Sequence, residues 1–142
     1  MPRLLGLDIG DRRIGVAVSD PEAILASPIA VVERRDTPVD LRAMVDFAEA
    51  HEVERIVVGL PISLNGSIGP QAQKVLAFIE ALRPLTTVPI EPWDERYTTA
   101  AAEDLLRQTG RSPAERRRRL DSAAAAVMLQ DYLDSHRALA SP

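Results

Sequence analysis

Apolar and polar positions alternate along this chain in two periods, and the period changes several times. Leu4-Leu5-Gly6-Leu7-Asp8-Ile9-Gly10 is an apolar run broken by one carboxylate. Asp11-Arg12-Arg13 follows as a polar turn, and Ile14-Gly15-Val16-Ala17-Val18-Ser19-Asp20 returns as a second run. Two such runs across a short turn predict an antiparallel hairpin. Residues 21–27 read as a loop, and Pro28-Ile29-Ala30-Val31-Val32-Glu33 predicts a third strand that completes a meander. Leu41, Met44, Val45 and Ala48 then fall at i, i+3, i+4 and i+7, one face of an amphipathic helix. Arg55-Ile56-Val57-Val58-Gly59-Leu60 is continuous in its apolar run, as expected of a strand covered on both faces.

The second half repeats the strand–helix alternation. The segment 61–69 is rich in turn formers and contains Asn65-Gly66. Pro70 suits the first position of a helix whose expected buried stripe is Ala72, Val75, Leu76, Ile79 and Leu82, with Pro84 as its stop. Val88-Pro89-Ile90-Glu91-Pro92-Trp93 predicts a short strand, and its two prolines point to a sheet edge. Thr98 or Thr99 can cap a helix that ends at Gly110. Ser112-Pro113-Ala114-Glu115 has capping-box spacing, and a final helix is expected from about Leu120 to His136, with Ala124, Ala125, Met128 and Tyr132 on one face. The predicted order is β-β-β-α-β-α-β-α-α. Strands that alternate with helices pair in parallel through right-handed crossovers. The expected product is an α/β domain of ribonuclease-H-like type: a five-stranded mixed sheet flanked by helices, with strand one central beside strand four. Residues 1–137 are expected to form one domain and 138–142 a frayed tail.

Composition narrows the chemistry. There is no cysteine, so neither a disulfide framework nor a zinc–thiolate site is available, which fits a reducing cytoplasm. No apolar run approaches the ~20 residues that span a bilayer, and no cleavable leader pattern opens the chain. The expectation is a cytoplasmic protein without a membrane partner. The net charge of −4 argues against a general polyanion coat. Positive charge is instead concentrated at Arg111 and at Arg116-Arg117-Arg118-Arg119.

Asp8 is the anomaly of the first run. A carboxylate inside a buried-strand pattern costs several kcal/mol unless a cation or donor compensates it. One reading makes Asp8 a turn cap, the other a metal ligand at the centre of the sheet. Asp94 and Glu95 leave a later strand, and Asp121 is expected to open the last helix on the face of Ala124. Carboxylates that meet at one sheet edge repel one another unless a divalent cation neutralises them. Oxygen-only ligands favour Mg²⁺ or Mn²⁺, and such a site suits phosphodiester hydrolysis. Each acid also has a simpler role. Asp121 would favour a helix N-terminus, Glu95 would pair with Arg96 or Arg12, and the arginine run would be a solvated helix face. His51 and His136 read as structural residues at helix ends, and Trp93 as packing.

Several motifs taken together carry a family resemblance. They are Leu7-Asp8-Ile9-Gly10 with the second run, Val57-Val58-Gly59-Leu60-Pro61 with Asn65-Gly66, Asp94-Glu95-Arg96-Tyr97-Thr98-Thr99, and Asp121-Ser122-Ala123-Ala124-Ala125 with Leu129-Gln130-Asp131-Tyr132-Leu133. In this order, and over nearly the whole chain, the set resembles the YqgF (RuvX) family. The resemblance implies a ribonuclease-H-like nuclease related to Holliday-junction resolvases and assigned to 5′-end processing of pre-16S ribosomal RNA. It implies Asp8, Glu95 and Asp121 as catalytic, metal-holding acids with Mg²⁺ or Mn²⁺. The substrate contacts expected beside them are Arg12, Asn65, Arg96 and Arg116 to Arg119. The segment before Asp121 is often lysine-rich in relatives and is all arginine here, which keeps the charge and adds a planar fork suited to phosphate. The expected partner is nucleic acid, either pre-rRNA or branched DNA, and the protein a monomer or homodimer. Two other readings stay open. Asp8-Ile9-Gly10 with Gly15 also fits the D-x-G-x(4)-G hairpin of sugar kinases and actin-like ATPases, although those resemble a duplicated, far longer version of the fold. A non-catalytic nucleic-acid binding module is the other.

Overall fold

The computed structural model describes residues 3–35, 38–61, 68–94 and 113–140, and the side chains of these apart from 113–122 and 137–140. The N-terminal apolar runs form β1 (Arg3–Ile9) and β2 (Arg13–Ser19), paired antiparallel from Leu5 opposite Val18 to Ile9 opposite Ile14. Asp11 and Arg12 are exposed at the tip. Gly10 donates its N–H to the Arg13 carbonyl at 2.9 Å, and a Cβ at Gly10 would lie 2.8 Å from that same oxygen. The turn therefore needs glycine there. The third strand, β3 (Ala26–Glu33), starts two residues before Pro28 and pairs antiparallel with β2, with a register shift between Val16 and Ala17. Pro28 is tolerated because β3 is a sheet edge.

Helix α1 (Pro38–Ala50) buries Met44, Val45 and Ala48 as its spacing predicts, and a turn with Glu52 at positive φ leads into β4 (Val53–Leu60). Helix α2 (Pro70–Leu82) has Pro70 in its first turn. Its buried stripe contains Phe78 where the spacing predicts Leu76, which is only half-buried. Phe78 fits the same stripe, three residues after Val75 and four before Leu82, and the Arg34 guanidinium lies over its ring at 5.6 Å. A short 3₁₀ turn at Arg83–Leu85 leads to β5 (Ile90–Asp94), two residues later than the expected strand start.

The sheet order is β3-β2-β1-β4-β5, with β1–β4 and β4–β5 parallel. Strand one is central beside strand four, and the proline-bearing β5 is an edge, as expected. One face packs against α1 and α2 through Leu5, Leu7, Ile56, Val58, Met44 and Ile79. The other face carries α3 (Pro113–Ala140) through Ala17, Val57, Ala125, Met128, Leu129 and Tyr132. Two expectations change here. The last helix starts at Pro113, not near Leu120, because the Pro113 start signal and the apolar stripe belong to one helix, and the intervening arginines are good helix formers. It also stays helical through Ala140, into the segment expected to be a frayed tail. The helix expected between Thr98 and Gly110 lies outside the described residues.

Candidate active site

Strand parity decides which face each carboxylate serves. Leu5, Leu7 and Ile9 point into the α1–α2 core, so Leu4, Gly6 and Asp8 share the α3 face. Asp8 is half-buried and stands opposite Gly15 of β2. It lies within the strand, two residues before the hydrogen bond that closes the turn.

The helix approaches this face closely because the strands offer small residues. A Cβ on Gly6 would come within 2.9 Å of the Leu129 Cβ and 3.4 Å of the Ala125 carbonyl. Arg55, which pairs with Leu4 across the β1–β4 ladder, reaches the Tyr132 hydroxyl at 3.4 Å. Helix α3 thus runs antiparallel to β1, with Tyr132 toward Leu4 and with Leu129 and Ala125 against Gly6. A two-residue strand step of about 6.6 Å is close to one helical turn of about 5.4 Å. Beyond Gly6, toward Asp8, the helix continues back from Ala125 into the turn that contains Asp121. The expectation that Asp121 opens the helix is corrected: it is two turns inside α3, which begins at Pro113. The simpler role of a helix N-terminal acid therefore fails, since the macrodipole acts within the first turn.

On β5, Glu91 and Trp93 face α3, while Asp94 shares the parity of Ile90 and belongs to the α1–α2 side. Glu95, Asn65 and Arg96 lie outside the described residues, as do the side chains of Asp121 and Arg116 to Arg119. Arg12 is exposed at the hairpin tip, and its carbonyl accepts the Arg34 N–H at 2.7 Å. Arg34 also donates through Nη1 to the Gly10 carbonyl at 3.0 Å, so the end of β3 braces the turn next to Asp8.

The donors on offer here are carboxylate oxygens. The chain has no cysteine, His51 ends α1, and His136 stacks on Tyr132 at 3.8 Å, well down α3. Among the described residues no three His, Cys, Asp or Glu side chains form a group able to hold a metal, and two of the three candidate acids are outside that set. The donor chemistry fits a hard divalent cation such as Mg²⁺ or Mn²⁺.

A polar network that sequence reasoning missed joins β4, β5 and α3. Arg55 Nη1 donates to Glu91 Oε2 at 2.6 Å, and the Tyr132 hydroxyl donates to the same oxygen at 2.7 Å. Trp93 Nε1 donates to Asp131 Oδ2 at 2.9 Å, and its ring meets Tyr132 edge-on at 5.1 Å. Burial pushes the Glu91 carboxyl up, but the bonds from Tyr132 and Arg55 outweigh it and hold the group below its usual range. Burial, then Glu91, pushes the Tyr132 hydroxyl up.

A family model described as RuvX, Holliday junction resolvase, matches residues 2–135. The chain belongs to the RuvX family. A relative from Desulforudis audaxviator, named a pre-16S rRNA nuclease, is 47% identical over 95% of this chain and 96% of its own length. One from Roseiflexus with the same name is 45% identical over 95% of this chain and 96% of its own. Among solved structures, RuvC from T. thermophilus in complex with a Holliday junction substrate superposes with a TM-score of 0.59 at 16% identity, covering 96% of each chain. The fowlpox virus resolvase with its junction DNA gives 0.58 at 12% identity, covering 94% of this chain and 98% of that one. These two likenesses establish the fold of this RuvX family member as ribonuclease-H-like. Family and relatives put the chain among the nucleases.

Proposed function

We propose that this RuvX family member is a metal-dependent endonuclease of the cytoplasm that trims the 5′ end of pre-16S ribosomal RNA. The observation that carries the reading is the shared face. Asp8 stands on the side of the central strand that α3 covers, and α3 runs from Gly6 back toward the turn containing Asp121. Asp8, Glu95 and Asp121 are the assigned catalytic acids and the holders of Mg²⁺ or Mn²⁺ within a single nuclease domain of residues 1–137. The cation, when bound, supplies Lewis acidity toward the scissile phosphate and lowers the pKa of a water. The chain supplies the negative charge that holds the cation, and Gly15 opposite Asp8 leaves room for it. Arg12, Asn65, Arg96 and the run Arg116 to Arg119 contact the phosphate backbone. The names borne by the relatives favour the RNA substrate. The family description favours a second reading, cleavage of branched DNA, which would call for a symmetric homodimer where RNA trimming works as a monomer.

The test compares wild type with Asp8→Asn on a pre-16S rRNA leader and on a four-way DNA junction, in Mn²⁺. Wild type should cut the RNA in preference to the junction, and Asp8→Asn should lose on the order of a thousandfold in rate while still binding RNA. In EDTA the variant should melt at or above wild type, because one of three repelling charges is gone, and it should gain less from Mn²⁺. Faster cutting of the junction would select the DNA reading. Retained cleavage with metal-independent destabilisation would falsify the metal-site assignment.

A further inference from the structure

The Arg55–Glu91–Tyr132 network and the Trp93–Asp131 bond join the two elements that the proposed site most needs to hold in register. Strand β5 leads directly into Glu95, and α3 carries Asp121. Strand β5 is tied by its backbone to β4 alone. It is an edge with a neighbour on one side only, and Pro92 sits where its nitrogen faces away from β4. Side chains add ties to a second element. Glu91 Oε2 receives Arg55 from β4 at 2.6 Å and Tyr132 from α3 at 2.7 Å, and Tyr132 is only 3% exposed. Trp93 bonds Asp131 at 2.9 Å one step further along β5.

Lever arithmetic makes the location matter. Asp121 is eleven residues before Tyr132 in one unbroken helix, about 16 Å along its axis. A tilt of about 10° at the network would move the Asp121 end by about 3 Å on that rise. Metal–ligand distances tolerate about 0.2 Å. Helix α3 has other anchors, at Gly6 on β1 and through Gln130, which receives Ala26 N–H at 2.9 Å and donates to the Ile24 carbonyl at 2.8 Å. Those tie it to the meander. Among the described residues, the Glu91 and Trp93 contacts are the side-chain hydrogen bonds that tie it to β5.

We propose that Tyr132, Glu91 and Trp93 are positioning residues that set β5, the strand that precedes Glu95 in the chain, against the helix bearing Asp121. This inference rests on the metal-site reading above. The experiment measures melting temperature in EDTA and across a Mn²⁺ titration, together with kcat and KM for RNA cleavage. It uses wild type, Tyr132→Phe, Trp93→Phe, Asp8→Asn and Phe78→Leu. The last is a packing control on the opposite face of the sheet. Tyr132→Phe and Trp93→Phe keep an aromatic ring; the first removes the bond to Glu91 and the one from Arg55, the second the bond to Asp131.

Both should need on the order of tenfold more Mn²⁺ for half-maximal stabilisation, as expected when groups that orient ligands are removed. Their kcat should fall at low Mn²⁺ and recover as Mn²⁺ is raised, with KM for RNA unchanged. Phe78→Leu should melt lower in EDTA but keep the wild-type Mn²⁺ midpoint. If Tyr132→Phe and Trp93→Phe behave like Phe78→Leu while Asp8→Asn loses its Mn²⁺ response, the network is structural only and the inference fails by itself. If Asp8→Asn keeps a full Mn²⁺ response, the metal-site reading fails and takes the inference with it.

Discussion

Glu91 shows how one side chain can be read against pH. Its carboxyl is held below its ordinary value of 4.5, since bonds from Tyr132 and Arg55 outweigh the cost of burial. A carboxyl with a lowered folded-state value contributes stability that is fully present above the unfolded value. That contribution is lost as pH falls through the folded value. The melting temperature of Glu91→Gln should therefore lie below wild type near neutral pH, and the gap should close as pH drops below about 4.5. A gap that stays constant down to acid pH would mean that the ion pair contributes nothing. Asp20 follows the same sign. Its Oδ1 accepts the Leu25 N–H at 2.9 Å and the Ile24 N–H at 2.7 Å, and these bonds lower its pKa. It organises the β2–β3 connection where Ala23 takes a positive φ.

Helix α3 behaves as one element with two jobs. Its buried half is fitted to small residues on the sheet, with Gly6 the tightest point. Gly6→Ala brings a methyl to 2.9 Å from the Leu129 Cβ, which is not a flexible tip, so the helix must move. The expected cost is about 1–3 kcal/mol by urea denaturation, as for overpacked sites. An unchanged midpoint would show that α3 rides loosely on β1. The N-terminal part of the helix carries Arg116 to Arg119. Replacing these four with Ser should weaken RNA binding and flatten its dependence on salt. On a single strand the slope should fall by about 0.7 for each phosphate that the protein no longer neutralises. Stability should fall by about 1 kcal/mol, because serine is a poorer helix former than arginine. Equal salt slopes for the two proteins would reduce the run to a solvated face.

For the whole molecule, the sheet order ranks the strands by protection. Strands β1 and β4 have partners on both sides, and both of their faces are covered. Hydrogen exchange at Leu5, Leu7, Val57 and Val58 should require global unfolding, while β3 amides should exchange through smaller openings. The contrast follows from β3 being an edge whose residues are all half-buried or exposed. Uniform protection across the sheet would contradict it. A cleft of about 680 Å³ on the α1–α2 side brings together Asp11, Arg34, Asp40 and Lys74. Asp11 and Lys74 approach to 3.5 Å, and the buried Asp40 accepts the Arg35 N–H at 2.9 Å. Its charges balance, which sets it apart from a phosphate site. Among the described residues no helix is long and apolar enough to cross a membrane.

Local periodicity was enough to read β1, β2, β4, α1 and α2 from the chain, because a buried face repeats every two or 3.6 residues whatever covers it. It also marked Asp8 as a misfit in an apolar run and β5 as an edge, since a carboxylate and a proline each break a local rule. Periodicity carries no record of what lies across the interface. It put Leu76 in place of Phe78, because both fit a stripe with Val75, Ile79 and Leu82, and only the docking of α2 on the sheet chooses between them. It also cut α3 short at Leu120 and so misread the place of Asp121 in the helix. The Arg55–Glu91–Tyr132 network had no signature to find. Its bonds span 36 and 41 residues, and they exist only because the β4–β5 register and the path of α3 bring three polar groups to one point. Spacing along a chain encodes which side of an element is apolar. Which polar groups meet there is set by packing, after the elements have docked.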